Sequence, residues 1–237
     1  MKNLIKRSLT GIGGSKLLDK IVVSYRKVCP RNLAMDYYNK YGVKKLQIGS
    51  GINHYEGWLN TDYDSGIPGV LQMDATKVFP FESNVFDYIF CQHMIEHISY
   101  QHGQFMLKEC LRVLKPGGKV RISTPNLAMV CGLYTPAPNE IQRSYMDWSK
   151  ATWVPDAPKA SPAFVINNFF RNWGHQFIYD KQTLREAMER AGFQMLQDFA
   201  LNESEDVVFR NLENEQRLPK GFLAFETITF EGTKKPE

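Results

Sequence analysis

The chain has 237 residues, enough for one sizeable core, and its 43% apolar and 23% charged content is that of an ordinary globular protein. That composition excludes a disordered or fibrous chain, and the net charge of +4 is too small to mark a nucleic-acid binder by charge alone. The four cysteines, Cys29, Cys91, Cys110 and Cys131, include no C-x-x-C pair, which argues against a disulfide framework or a zinc ribbon and for a reducing cytoplasm.

The charge is unevenly placed. Eight basic residues face one acid, Asp19, before residue 32. Over Leu17 to Val28 the apolar positions Leu17, Leu18, Ile21, Val22 and Tyr25 recur at helical spacing. Residues 1–42 are therefore expected to form a basic amphipathic helical extension, packed on the domain or touching an anionic membrane surface. No apolar run approaches the roughly 20 residues that span a bilayer. The expected location is cytoplasmic, with peripheral membrane contact through the extension as an option.

From residue 43 to the end, short apolar runs alternate with turns and helical patterns, as in an α/β domain. Strands are predicted at Lys44–Ile48, Trp58–Asp62, Val70–Met73, Phe86–Cys91 and Lys119–Ser123. A helix over 101–115 is stopped by Pro116-Gly117-Gly118. Residues 126–179 hold five prolines and many aromatics without sustained periodicity, and read as an irregular lid. Asp180 then caps a helix closed by Gly192, and the runs 193–201 and 222–230 are expected to form a terminal antiparallel pair.

Three short patterns fall at predicted strand ends. Gly49-Ser50-Gly51 follows the first strand, where a missing Cβ lets a ligand approach the backbone. A dinucleotide fingerprint would need a third glycine and a crossover helix, and neither is present. Asp62 ends the second strand, where a carboxylate can take both hydroxyls of a ribose or simply form a turn. Asp74-Ala75 follows the third, suited to an adenine contact or to a helix cap.

These patterns precede Phe79-Pro80-Phe81, Phe86-Asp87, and Cys91-Gln92-His93-Met94-Ile95-Glu96-His97, and then Leu111-Arg112-Val113-Leu114-Lys115-Pro116-Gly117-Gly118. The combination closely resembles the small-molecule class I S-adenosylmethionine (SAM)-dependent methyltransferases of type 11. The Gly49–Asp62 stretch is similar to the subgroup with a shortened first crossover. The resemblance covers roughly residues 43–126, and more loosely 177–193. It implies a doubly wound, mostly parallel α/β sheet of the Rossmann-like methyltransferase class, with SAM as cofactor. By position, Gln47, Gly49, Ser50 and Gly51 would meet the amino-acid part of SAM, Asp62 the ribose, and Asp74 with Ala75 the adenine. Cys91, Gln92 and His93 would lie beside the methionine part. Many relatives carry an acid where Gln47 stands, so charge pairing with the cofactor ammonium is lost here.

The expected reaction is O-methylation of a small hydroxylated acceptor, a sugar or cell-surface glycan precursor being favoured, with His93 or His175 as base. Tyr134, Tyr145, Trp148, Trp153, Phe169, Phe170 and Trp173 of the insert would stack on the acceptor or form a satellite core. No nucleic-acid partner and no metal are expected. Two other readings are open to the sequence: a methyltransferase-like scaffold without activity, and a zinc hydrolase built on His93-x-x-Glu96-His97. The zinc motif should lie within a helix, whereas here it begins at the end of a strand-like run.

Overall fold

A computed structural model describes residues 30–64 and 66–236. The basic segment Leu17–Val28, and most of the 1–42 extension, lie outside the described residues. Helix α1 (Pro30–Lys40) leads into β1 (Lys45–Ile48), β2 (Leu59–Asp62), β3 (Leu71–Gln72) and β4 (Phe86–Gln92). A 3-10 turn at Ile95–His97 precedes α2 (Tyr100–Val113) and β5 (Leu114–Pro125). The insert supplies α3 (Leu127–Gly132), α4 (Glu140–Trp153) and α5 (Pro162–Arg171). Helix α6 (Lys181–Ala191), β6 (Gln194–Phe199), α7 (Phe222–Glu226) and β7 (Thr227–Thr233) complete the domain.

The strands form one sheet in the order β3-β2-β1-β4-β5-β7-β6. The first five are parallel, and β7 runs antiparallel between β5 and β6. Strands β1 and β4 pair Leu46 with Ile89 and Ile48 with Cys91, all buried, at the middle of the sheet. Met106, Cys110 and Val113 of α2 and Leu184 and Met188 of α6 pack with these side chains into the main core. Because side chains alternate along a strand, Phe90 points to the other face, where Trp58, Phe209 and Leu212 join it.

On that second face the cover is the loop between β6 and α7. Arg121 of β5 is fully buried, donating to Glu213 through Nε at 2.7 Å and to Glu231 through Nη1 at 2.5 Å. Glu213 also accepts from Ser123 and from the Asn202 backbone N–H, so one guanidinium fastens the loop to the sheet. The methyltransferase-like signature residues act in a similar structural way. Arg112 donates to the carbonyls of Phe79 and Phe81 and to Glu109, and Lys115 pairs with Asp87 at 2.8 Å. These residues clamp the loop before β4 onto the start of β5.

Two expectations are corrected. The insert is helical, not irregular: its prolines sit outside helices or at their first position. Pro136 and Pro138 precede the Asn139–Gln142 capping box of α4, and Pro162 opens α5, where no N–H is needed. Residues 222–226, expected as strand, form α7, so β7 is shifted towards the C-terminus to 227–233. Gly221 in the left-handed region starts that turn. By contrast, α6 is capped as expected, Asp180 accepting from the Thr183 N–H at 2.7 Å and Gly192 ending it at φ 111°.

Replacing Arg121 by Ala strands two buried carboxylates and should cost about 3–5 kcal/mol in urea unfolding. A loss below ~1 kcal/mol, the size of an exposed pair, would show that the guanidinium does not fasten the loop.

Candidate active site

The C-terminal ends of β1, β2 and β4 meet at one edge of the sheet, the place where open parallel sheets bind ligands. The first crossover, residues 49–58, holds no helix. It is shaped by side chains instead. Gln47 Nε2 donates to the Asn53 carbonyl at 3.0 Å, and Asn60 exchanges hydrogen bonds with the Tyr55 backbone. The Gln47 amide is buried and its Oε1 has no hydrogen-bond partner; Gln92 Nε2, at the end of β4, is in the same condition. Two buried, unsatisfied amide atoms at the tips of adjacent strands are costly unless a ligand completes them.

The two glycines serve different ends. Gly49 has φ +69°, and a Cβ there would lie 2.4 Å from Met94 Cγ, so its missing side chain is filled by Met94. Gly51 has φ +52° and nothing within 4 Å of where its Cβ would be, so it leaves an open cradle. Asp62 Oδ2 accepts from the Gly51 N–H at 2.8 Å and Oδ1 from the Asp64 N–H at 2.9 Å. Each carboxylate oxygen retains a further acceptor site for a hydroxyl. Asp74 is used by its own loop: it accepts from Thr76 N and Oγ1 and pairs with Lys77. The Thr76 hydroxyl is the main reason its carboxyl lies below the ordinary value. Ala75 is buried in the main core.

Beyond β4 the chain turns sharply at His93, whose φ of +48° is a left-handed conformation unusual for a non-glycine residue. The turn carries His93 back into the protein. Its Nε2 lies 2.9 Å from Thr227 Oγ1, and its Nδ1 lies 3.5 Å from Glu96 Oε1. Glu96 is fully buried, with Oε2 accepting from Thr124 at 3.1 Å. Burial alone would raise its carboxyl; the facing His93 and His97 imidazoles outweigh that and bring it below the ordinary value. Cys91 is fully buried, and burial pushes its thiol well up, so it is no nucleophile.

His175 enters from the insert, Glu96 accepting the Gln176 and Phe177 N–H groups through its carbonyl. The His175 and His97 rings meet edge to face at 4.9 Å. His175 Nδ1 lies 2.8 Å from the Phe169 carbonyl and must carry the proton, since a carbonyl only accepts. Desolvation holds His175 below the ordinary histidine value. Beside it is a cleft of about 260 Å³ lined by Leu127, Phe170, Phe177 and Ile178 with Gln176 and Thr183.

The zinc arrangement read from His93-x-x-Glu96-His97 is not what forms. Ile95–His97 is a single 3-10 turn, so His93 and His97 do not share a helix face, and His93 is engaged with Thr227. Of the insert aromatics, Tyr145 and Phe169 are core, whereas Tyr134, Trp153, Phe170 and Trp173 are exposed. Glu226 escaped functional reading of the sequence, lying far from any motif, and Tyr145 was read only as an insert aromatic. They are hydrogen-bonded to each other in the buried space that Thr227 and His93 border.

Residues 50–122 match the family model described as a methyltransferase domain. That stretch, under a third of the chain, is similar to a methyltransferase domain. The fold agrees with a solved SAM-dependent methyltransferase from Archaeoglobus fulgidus at TM-score 0.51 and 16% identity, covering 92% of this chain and 98% of that one. Among curated proteins, the ubiquinone biosynthesis O-methyltransferase of Coxiella burnetii is 36% identical over 84 residues. That match takes in 35% of this chain and only 32% of the relative's length.

SAM is the cofactor of the methyltransferases that this chain resembles, and the cradle fits it on its own chemistry. Gln47 Oε1 is an unsatisfied acceptor for an ammonium, Gln92 Nε2 an unsatisfied donor, and Gly51 and Asp62 leave room and acceptor capacity for a nucleoside. Gly51→Ala should fill the cradle and weaken SAM binding in calorimetry while costing roughly 1–2 kcal/mol of stability for its left-handed backbone. Gly49→Ala adds the collision with Met94 to the same strain and should unfold at clearly lower urea. Equal stability of the two variants would refute this division of labour.

Glu226 offers a test by pH. Burial holds its carboxyl above the ordinary value, against the lowering by His93, the Tyr145 hydrogen bond and Arg217, while Glu96 adds to the rise. A raised folded-state value stabilises the fold at acid pH, and that contribution is lost as pH rises through it. Glu226→Gln should therefore flatten the fall in urea-unfolding stability on going from acid to neutral pH; an unchanged slope would show that Glu226 does not cause it.

Proposed function

We propose that the protein transfers the methyl group of SAM to a hydroxyl oxygen of a small acceptor. The observation that carries this reading is the pair of buried, unsatisfied Gln47 and Gln92 amide atoms beside the open Gly51 cradle. Oxygen as the methylated atom is supported by the similarity to an O-methyltransferase. When bound, SAM supplies an electrophilic methyl on a sulfonium, and the protein's task is alignment in a site that excludes water.

Gln47 and Gln92 hold the amino-acid end and Asp62 the ribose. Gly49 keeps Met94 packed against the turn that leads from β4 to the histidines. A hydroxyl acceptor must lose its proton, and we assign His93 Nε2 to take it, the acceptor hydroxyl replacing Thr227 Oγ1 as its partner while Glu96 faces Nδ1. His175 lines the cleft in which the acceptor sits. Phe170 and Phe177 offer ring faces to the apolar side of a sugar ring, a preferred acceptor class, and the cleft volume suits one ring.

Calorimetric titration with SAM and with S-adenosylhomocysteine tests the reading. Micromolar binding to the wild type, lost in Asp62→Ala, is expected. His93→Gln and His175→Ala should keep SAM affinity within a few-fold yet slow turnover, by ~100-fold for His93 if it is the base. A well-folded wild type that binds neither compound would overturn the enzyme reading in favour of a scaffold.

A further inference from the structure

Glu96, His97 and His175 bring one ligand atom each to within 4.8 Å of one another. They come from different parts of the chain, the first two from the 3-10 turn after β4 and the third from the end of the insert. We infer that they form a binding site for a divalent transition-metal cation of the zinc class, a site separate from the SAM cradle. This goes beyond the methyl-transfer reading, because the cation can be bound and measured without SAM or acceptor.

Three independent features of the geometry support it. Glu96 Oε1 is completely buried and lacks a hydrogen-bond partner, although His97 Nε2 approaches it at 3.8 Å and His93 Nδ1 at 3.5 Å. An anionic oxygen left unsatisfied in the interior is what a cation would complete. His175 Nδ1–H is spent on the Phe169 carbonyl, which leaves the Nε2 lone pair unprotonated; a backbone carbonyl behind the imidazole is the usual support of a metal-bound histidine. The donor set of two imidazoles and one carboxylate suits zinc and its neighbours rather than magnesium or calcium, which prefer oxygen.

The ligand atoms, within 4.8 Å of one another, stand wider than in a closed site, so binding would draw the His97 and His175 rings inward. Ligand atoms around a tetrahedral zinc stand about 3.3 Å apart, from metal–ligand distances of roughly 2.0–2.1 Å. The 3.8 Å separation of Glu96 Oε1 and His97 Nε2 needs only a small rotation of the half-buried His97 ring. Three protein ligands leave a fourth position open, and His175 also lines the 260 Å³ cleft, so the vacancy adjoins the acceptor space. With the cation bound, His97 and His175 are ligands, and His93 is the imidazole left to receive a proton.

The untagged protein, stripped with a chelator, would be titrated with Zn²⁺ by calorimetry and with Co²⁺ by visible absorption. One equivalent should bind, with the intense bands of four-coordinate Co²⁺. His175→Ala and His97→Gln should each lower the affinity by at least ~10-fold and weaken the bands. His102→Ala, at an exposed histidine elsewhere on α2, should change neither. Glu96→Gln removes the anion with little change of shape, but its buried position endangers folding. The two histidine variants keep the test open in that case. Absence of binding, or binding that persists unchanged in both histidine variants, would overturn the site. SAM titration of the same proteins separates the two readings: if the wild type takes zinc but not SAM, the methyl-transfer reading fails and this one stands.

Discussion

Glu96 is the point at which three parts of the molecule are joined. Its side chain accepts from Thr124 on β5, its carbonyl accepts from Gln176 and Phe177 at the end of the insert, and His93 and His97 stand against its second oxygen. A fully buried carboxylate is expensive, and here Thr124 donates to one oxygen while the His93 and His97 imidazoles face the other. The position of His175, and with it one wall of the cleft, follows from those two backbone hydrogen bonds.

The sheet supplies the other half of the site. Because β1 and β4 are paired in parallel at its centre, Ile48 stands beside Cys91, and the chain ends that follow them lie together. Gln47 and Gln92 thus leave unsatisfied atoms at neighbouring strand tips, with Gly51 beside them. The strong motif residues of the chain do something different. Arg112, Lys115 and Asp87 are spent on holding the loop before β4 and the start of β5, so the signature that carries the resemblance describes a clamp more than a reaction.

The second face of the sheet is covered unusually. A loop held by Arg121, Glu213 and Glu231 takes the place that a packed apolar helix could fill. Removing charges from water costs several kcal/mol per ion, so the network stabilises only because each carboxylate has further donors: Ser123 and the Asn202 N–H for Glu213, Ser204 for Glu231. The buried Tyr145–Glu226 pair, on the side of the insert, obeys the same rule, because the Tyr145 hydroxyl donates to the Glu226 carboxyl that burial raises above its ordinary value.

The sequence by itself determined the parallel sheet, the helix from 181 to 191 and the strand ends that bear Gly49-Ser50-Gly51, Asp62 and His93, because apolar periodicity, caps and turn glycines are local signals. It also carried the family resemblance, through residues whose spacing is set by the clamp. What it did not determine was the insert and the histidine cluster. Proline punctuation hid three helices whose apolar faces are satisfied by one another and by Phe222, Phe225, Leu218 and Ile178. Residues 222–226 alternate like a strand, yet Phe222 and Leu223 are buried as a helical turn entered through the left-handed Gly221. The meeting of His175 with Glu96 and His97 spans nearly 80 residues and depends on backbone hydrogen bonds from Gln176 and Phe177, which leave no trace in side-chain pattern. Only the tertiary structure decides such a contact, because it is fixed by where the chain returns rather than by what any one segment prefers.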